Sequence, residues 1–258
     1  MKLGLMEIVK RGKGAAFRLN ITIGKNFLGI KNGLKFSIRF INPAYKNVFI
    51  SIGTNCYPRK MLANTGLKPK RKDGELSYPF DLCFISSKTV LHYLENNFSD
   101  FFDDVEYSET KGMWVNSRFG INYPHDNFLP DEKCKFIDRY KKRIANFNNL
   151  FKTDKKLYFI TVIFDKEFKI DCESINKTYE FLKLKLNGKD FAYSVIRLYD
   201  STSLPVEITL NNKIHYEEML IPIDDYYDLW HISEYKCLPE CEDFVNKFAD
   251  NVYELTQK

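Results

Sequence analysis

One stretch of the chain places a cysteine where it could act as a nucleophile. Residues 48–52 form a β-branched and aromatic run that is typical of a buried strand, and Gly53 ends that run. Asn55 can cap a helix, and the apolar positions that follow suit one. We therefore expect Cys56 at a helix N-terminus, where free N–H groups and the helix dipole lower a thiol pKa. The alternative is a small buried cysteine that only fills the turn.

A carboxylate lies inside an apolar segment downstream. Asp81 is surrounded by aromatic and aliphatic residues within residues 78–84. Burying a carboxylate is unfavourable unless it is paired or hydrogen-bonded. We therefore expect Asp81 to be buried and paired, either with His125 or with an arginine such as Arg139 or Arg143.

A histidine and a basic helix complete the candidate groups. Pro124 forces an extended backbone just before His125. Residues 130–151 show the apolar spacing of a long helix whose opposite face is basic. That face is typical of a solvated surface. Arg143 on it could instead lie beside an acidic substrate or clamp a buried aspartate.

The elements that must position these groups suggest alternating strands and helices. Residues 87–98 have helical spacing, and residues 105–122 are strand-like and irregular. The second half is predicted as a strand over 157–164, a helix over 172–186, strands over 191–199 and 206–210, and a closing helix over 238–255. This order predicts an α/β (or α+β) fold with a central sheet, flanking helices and the cysteine at a strand-to-helix turn.

The first part of the chain differs from the rest. Residues 1–46 contain strand-like runs at 17–23, 26–30 and 34–40, separated by turn signals that include Lys31-Asn32-Gly33. We interpret residues 1–46 as a small N-terminal β-meander and residues 47–258 as the main α/β domain, with Asn42-Pro43 as the junction.

Composition limits the classes of partner. The chain has 258 residues, of which 44% are hydrophobic and 28% charged, as is typical of globular proteins. Its net charge of +5 accompanies 34 acidic residues, and no aromatic–basic platform motif is present, so a nucleic-acid partner is disfavoured. No apolar run is long enough to cross a bilayer, and we expect no membrane partner.

The six cysteines are scattered and do not have the spacing of a disulfide framework. With no recognisable signal peptide, reduced thiols in the cytoplasm are expected. Cys237-x3-Cys241 could belong to a zinc site, but no second pair or nearby histidine completes four ligands. We therefore favour two structural thiols and expect neither metal nor cofactor.

Four segments together resemble a known domain family. They are Gly53-Thr54-Asn55-Cys56, Pro79-Phe80-Asp81, Pro124-His125-Asp126 and Tyr140-Lys141-Lys142-Arg143. In order and rough spacing they resemble a bacterial domain family of unknown function labelled as papain-like cysteine peptidases, over about residues 48–164. The family pattern has Trp where Leu82 stands and often Arg where Lys142 stands. Neither departure removes a candidate catalytic group.

The resemblance implies cysteine–histidine chemistry. Cys56 would be the nucleophile, and His125 the general base and then the general acid toward the leaving group. The backbone N–H of Cys56, with the Asn55 side chain or a turn amide, would form the oxyanion hole.

A third group should orient the imidazole of His125. Asp126 is adjacent, but neighbouring side chains on an extended segment point to opposite faces. Asp81 is therefore preferred, slightly ahead of Asp165 at the end of a predicted strand.

Two functions of different classes remain open. The first is a cysteine-dependent hydrolase or acyltransferase acting on a protein, peptide or glycan-linked substrate through a peptide, amide or acyl group. The second is a non-peptidase, Rossmann-like module that binds a nucleotide-sugar or glycan phosphate at the turn from Gly53 to Cys56. Phosphate-binding loops usually contain several glycines, and this turn has one.

Overall fold

The structure, a computed structural model, describes residues 6–9, 16–23, 34–41, 47–65, 67–68, 76–222 and 239–256, and only the backbone of the first three ranges. Its strands are β1 (Met6–Val9), β2 (Ala16–Ile23), β3 (Leu34–Ile41), β4 (Asn47–Ser51), β5 (Val105–Ser108), β6 (Met113–Asn116), β7 (Ile121–Tyr123), β8 (Lys156–Phe164), β9 (Phe191–Tyr199) and β10 (Ile214–Leu220). Its helices are α1 (Tyr57–Thr65), α2 (Ser87–Glu95), α3 (Lys133–Leu150), α4 (Cys172–Leu186) and α5 (Pro239–Glu254), with a 3-10 turn at Pro130–Glu132.

Three sheets organise these strands. The central sheet has the order β10-β9-β8-β4 and is parallel throughout. The other two are antiparallel, with the orders β1-β2-β3 and β5-β6-β7. This is the mixed α/β fold with a central sheet and flanking helices that the alternation of elements predicts.

Strand β8 forms the middle of the core because both of its faces are buried. Such two-sided burial explains its continuous apolar sequence, which is characteristic of parallel strands covered by helices. Alternate side chains join the two halves of the core: Tyr158, Ile160, Val162 and Phe164 on one face, and Leu157, Phe159 and Ile163 on the other.

The helices cover the two faces of the central sheet. Buried side chains of α1 and α5 pack on the first face, around Met61, Leu62 and Phe248. The second face is covered by α2 and α4, which contact each other, and its core continues into α3 and the small sheet β5-β6-β7. A bilayer-spanning helix is absent from the described part of the chain.

One predicted strand is wrong. Residues 206–210 are irregular and mostly exposed, with Val206 43% exposed, and they pair with no strand. The last strand of the sheet is instead β10, which pairs with β9 along Ile214–Leu220. Its sequence contains His215, Glu217 and Glu218, which an edge strand tolerates because one of its sides is open.

The N-terminal residues 6–41 contain an antiparallel sheet, as a meander requires. Strands β2 and β3 pair directly, with Ala16 opposite Ile41 and Ile23 opposite Leu34, and β1 pairs with β2. The strand predicted over residues 26–30, the turn at residues 31–33 and the junction at Asn42-Pro43 lie outside the described residues.

Candidate active site

The turn between β4 and α1 is buried and held by hydrogen bonds to the sheet. The Thr54 hydroxyl donates to the backbone carbonyl of Val162 on β8 at 2.8 Å. The backbone N–H of Tyr57, the first residue of α1, donates to Oδ1 of Asn55 at 3.0 Å, which caps the helix. Cys56 lies between these two anchors, at the carboxyl end of a parallel strand, where functional groups of open α/β sheets are usually found.

Gly53 is the residue that allows the turn. Its φ of +73° lies in the left-handed region, and a Cβ added there would lie 2.8 Å from Cγ2 of Val90. Gly53→Ala is expected to lower the free energy of unfolding by about 2–3 kcal/mol, because backbone strain and a steric overlap add.

The matched control is Gly120→Ala. Gly120 also has a positive φ, of +65°, but a Cβ added there would meet no atom within 4 Å. Gly120→Ala should therefore lower the free energy of unfolding only through backbone strain, by about 1 kcal/mol. Chemical denaturation of both variants compares the two losses, and equal losses would contradict the account of the turn.

A short hydrogen-bonded segment connects the cysteine turn to the histidine strand. The N–H of Ile85 donates to the carbonyl of Thr54 at 2.8 Å. Its neighbour Phe84 exchanges two backbone hydrogen bonds with Asn122 on β7, at 2.9 and 3.2 Å. Backbone pairing therefore fixes the spacing between the turn that carries Cys56 and the strand that leads to His125.

The structure brings the two predicted reactive groups together. Sγ of Cys56 lies 3.0 Å from Nε2 of His125. Cys56 is 5% exposed, whereas His125 lies exposed at the rim of the site. A thiol and an imidazole at this distance can exchange a proton directly.

The expected lowering of the thiol pKa does not occur. The pKa of Cys56 is raised to about 12, chiefly by burial and to a smaller extent by the charge of Glu167, against the lowering effects of its own backbone N–H, Lys60 and Arg59. Although His125 is exposed as a residue, the surrounding protein partly desolvates its imidazole, which lowers its pKa below the ordinary value of 6.5. Desolvation therefore outweighs the helix N-terminus, and the resting pair is a neutral thiol hydrogen-bonded to a neutral imidazole.

Asp126 anchors the loop that carries His125. Its carboxylate is buried and accepts hydrogen bonds from Arg139 Nη1 at 2.6 Å and from the Tyr140 hydroxyl at 2.7 Å. Arg143 Nη1 lies 3.4 Å from the same carboxylate. The segment is not extended as expected: Pro124 and His125 form a turn, closed by a hydrogen bond from the N–H of Asp126 to the carbonyl of Tyr123 at 3.4 Å. The carboxylate of Asp126 ties this turn to α3.

Asp81 is fully buried and paired with an arginine, as expected. Its carboxylate lies 3.2 Å from Arg59 Nε and 3.6 Å from Lys68 Nζ, and it accepts the backbone N–H of Tyr78 at 2.9 Å. The arginine is Arg59 rather than Arg139 or Arg143, which were the examples considered. These contacts bind Asp81 to α1 and the residues that follow it, which leaves it no hydrogen bond to the imidazole.

Asp165, the other aspartate considered for orienting the imidazole, is also engaged elsewhere. It accepts hydrogen bonds from Arg197 on β9 through both carboxylate oxygens. Within the part of the chain that the structure describes, no side chain hydrogen-bonds to Nδ1 of His125. The site is therefore a cysteine–histidine pair whose histidine is positioned through its backbone and Asp126.

Asn55 and Glu167 form a pair beside Cys56 that the sequence did not predict. Nδ2 of Asn55 donates to Oε2 of Glu167 at 3.1 Å. Burial raises the pKa of Glu167 to about 7. The amide of Asn55, expected to help bind an oxyanion, is fully buried and braces the turn. Glu167 follows β8, the parallel neighbour of β4, so the pair results from strand pairing that no sequence pattern near Glu167 indicates.

Replacing Glu167 tests its electrostatic influence on the thiol. Glu167→Gln removes a negative charge that raises the pKa of Cys56, while its amide oxygen can still accept from Asn55. We expect faster alkylation of Cys56 by iodoacetamide at pH 8.5, by up to about tenfold, the equivalent of one pKa unit.

The effect of Glu167→Gln on the alkylation rate should be present at high pH and absent at low pH. Because the pKa of Glu167 is about 7, the carboxyl is ionised at pH 8.5 and mostly protonated at pH 5.5, where the variant should match the parent. Glu180→Gln, a change at an exposed carboxylate on α4, is the control. An equal effect of Glu167→Gln at both pH values would contradict an electrostatic role.

The described residues contain no group of three or more His, Cys, Asp or Glu side chains that could hold a metal ion. Cys237, one half of the pair considered for zinc, lies outside them. The five described cysteines are free thiols, and three of them, Cys56, Cys83 and Cys241, are buried.

The fold and the site define a class of protein: an α/β domain with a cysteine at a strand-to-helix turn in contact with a histidine. Residues 47–200 match the model of the family described as "Putative papain-like cysteine peptidase (DUF1796)", and the chain belongs to this family. The match covers more than half of the chain and includes both reactive residues. No curated protein and no solved structure matches the chain.

Proposed function

We propose that the protein is a cysteine-dependent hydrolase or acyltransferase in which Cys56 attacks a peptide, amide or ester carbonyl. The observation that carries the proposal is the 3.0 Å contact between Sγ of Cys56 and Nε2 of His125. The family description supports the same chemistry. A thiol with a base at hydrogen-bonding distance is the arrangement that activates a cysteine nucleophile.

The neutral pair determines the order of proton transfers. As the sulfur–carbon bond forms, the thiol proton passes to Nε2 of His125 and the carbonyl oxygen becomes an oxyanion. The bond to the leaving group then breaks, and His125 gives the proton to that group, which leaves a thioester on Cys56. Water or another acceptor attacks the thioester, loses a proton to His125, and the departing sulfur recovers it.

The backbone N–H of Cys56 is the donor best placed for the oxyanion. It lies against the sulfur of its own residue, next to the position where the attacked carbonyl would sit. Lys60 and Arg59 on α1 add positive charge that favours a negative charge at this point. A reducing compartment such as the cytoplasm would keep Cys56 as the thiol that this chemistry needs.

Trapping of the acyl-enzyme tests the proposal. The protein is mixed with p-nitrophenyl acetate, quenched in acid and digested, and the acetylated peptides are identified by mass spectrometry. We expect an acetyl thioester on Cys56 that is absent from His125→Ala. Acetylation restricted to surface lysines or to the exposed Cys134 would contradict the proposal.

The alternative function, a module that binds a phosphate at the turn from Gly53 to Cys56, has less support. Glu167 reaches this turn through Asn55, and its carboxylate is ionised above about pH 7. A negative charge at this position opposes a phosphate there. The hydroxyl of Thr54 and Oδ1 of Asn55 are also already engaged within the protein.

A further inference from the structure

A groove of about 480 Å³ lies along α3. It is lined by Leu76, Ser77, Phe128, Lys135, Asp138, Arg139, Lys142, Arg143 and Asn146. Two contacts join it to the site. Arg139 and Arg143 bind the carboxylate of Asp126, the residue after His125. Ser77 accepts a hydrogen bond from Arg59 on α1, three residues after Cys56.

Arg143 presents unused hydrogen-bonding capacity to this groove. The residue is only 5% exposed, yet its one hydrogen bond to the described residues is the 3.4 Å contact with Asp126. The ring of Tyr140 lies 4.5 Å from the guanidinium and supplies no acceptor oxygen to its other N–H groups. A nearly buried guanidinium with free donors is a favourable partner for a planar carboxylate.

The charges around the groove leave a positive excess. Among the described residues, four cations line the groove, Lys135, Arg139, Lys142 and Arg143, against one lining carboxylate, Asp138, and two carboxylates that pair with these cations, Asp126 and Glu132. Lys142 forms no ion pair with the residues that the structure describes. Within the described part of the chain one positive charge is therefore uncompensated, which matches a ligand group with a single negative charge.

The walls of the groove also favour apolar groups in the ligand. Leu76 is 52% exposed, and Phe128 stacks against the guanidinium of Arg139 at 4.0 Å. Such walls suit the methylene groups of a glutamate or aspartate side chain, or the apolar residues beside it.

We propose that this groove binds a carboxylate of the substrate, so that the enzyme acts on acidic peptides or acidic acyl compounds. The proposal rests on the proposed function for the reaction itself. Through Asp126, a carboxylate bound at Arg139 and Arg143 would be held next to the loop that carries His125.

The test is an NMR titration of the full chain with two peptides, acetyl-Leu-Glu-Leu-amide and acetyl-Leu-Gln-Leu-amide, and with inorganic phosphate. The glutamate peptide should bind at least about tenfold more tightly than the glutamine peptide, since a buried charged contact is lost in the latter. Equal binding of the two peptides, or no binding of either, would overturn the proposal. Binding of phosphate without the glutamate peptide would overturn the assignment to a carboxylate.

A pair of charge reversals on one helix locates the binding. Lys142→Glu should weaken binding of the glutamate peptide by about tenfold or more. Lys141→Glu makes the same change at an adjacent exposed lysine outside the groove and should alter it by less than about twofold. Equal losses in both variants would show a general charge effect and overturn the proposal.

The same titration on Cys56→Ser separates the two proposals. Peptide binding does not require the thiol, so the carboxylate site should persist there. Binding that persists while Cys56 proves inert toward acylating reagents would retain the groove and remove the proposed reaction. Acylation of Cys56 without preference for the glutamate peptide would retain the proposed reaction and remove the carboxylate site.

Discussion

Cys56→Ser should abolish turnover of an activated ester while leaving the fold intact. Serine is nearly isosteric with cysteine and keeps the turn between Asn55 and Tyr57, so the melting temperature should change little. A serine hydroxyl is a far weaker acid than a thiol, and a lone neutral imidazole activates it poorly. We expect the rate of p-nitrophenyl acetate hydrolysis to fall by about 10³-fold or more, comparable to the loss of a triad member.

Cys134→Ser is the matched control for this loss. Cys134 is the exposed thiol on α3, and its replacement should leave the hydrolysis rate unchanged. A Cys56→Ser protein that folds normally and keeps its full rate would show that Cys56 only fills the turn.

Asp126→Asn should be the most destabilising of the single substitutions considered. The carboxylate is buried, binds Arg139 and Arg143, and accepts the Tyr140 hydroxyl. Removing its charge leaves Arg143 buried without a counter-ion, which should lower the free energy of unfolding by about 3–5 kcal/mol. The loop that carries His125 also loses its tie to α3, so alkylation of Cys56 should slow even in the folded fraction.

Asp131→Asn provides the comparison for this change. Asp131 is an exposed aspartate in the 3-10 turn before α3, and its substitution should alter stability by less than about 0.5 kcal/mol. Urea denaturation measures both variants. Similar, small losses in the two would contradict the role assigned to Asp126 as the anchor of the histidine loop.

Much of the fold could be predicted because its long elements have strong apolar patterns. The bounds of α4 and β9 are those expected from the sequence, and β8 begins only one residue earlier than expected. The edge strand β10 was missed because an open edge accepts charged residues and so lacks an apolar signature.

Proximity within the site could be predicted only in part. Cys56 and His125 stand out because a strand-to-helix turn and a preceding proline restrict the backbone locally. The partners of Asp81 could not be predicted, because Lys68 belongs to a charged run that is typical of a solvated loop, yet it is 3% exposed. Nothing local to Glu167 reveals it, since its approach to Asn55 results from the pairing of β4 with β8.

The thiol pKa differs from expectation for a related reason. A helix N-terminus is a local feature that sequence can indicate, and it favours a thiolate. The burial of Cys56 depends on the packing of the whole domain and has the larger, opposite effect. We therefore propose that His125 removes the thiol proton during the reaction, rather than that the thiol ionises beforehand.

The pH dependence of Cys56 alkylation by iodoacetamide, in the parent and in His125→Ala, tests this pair most directly. Only neutral His125 can accept the thiol proton, and its pKa is lowered from 6.5. The parent rate should therefore fall on the acid side below pH 6.5, decrease by up to about tenfold as Glu167 ionises around pH 7, and stay level from pH 8 to 9. In His125→Ala the level region should disappear, and the rate should rise about tenfold per pH unit as the buried thiol ionises. Identical profiles for the two proteins would contradict the assignment of His125 as the base for Cys56.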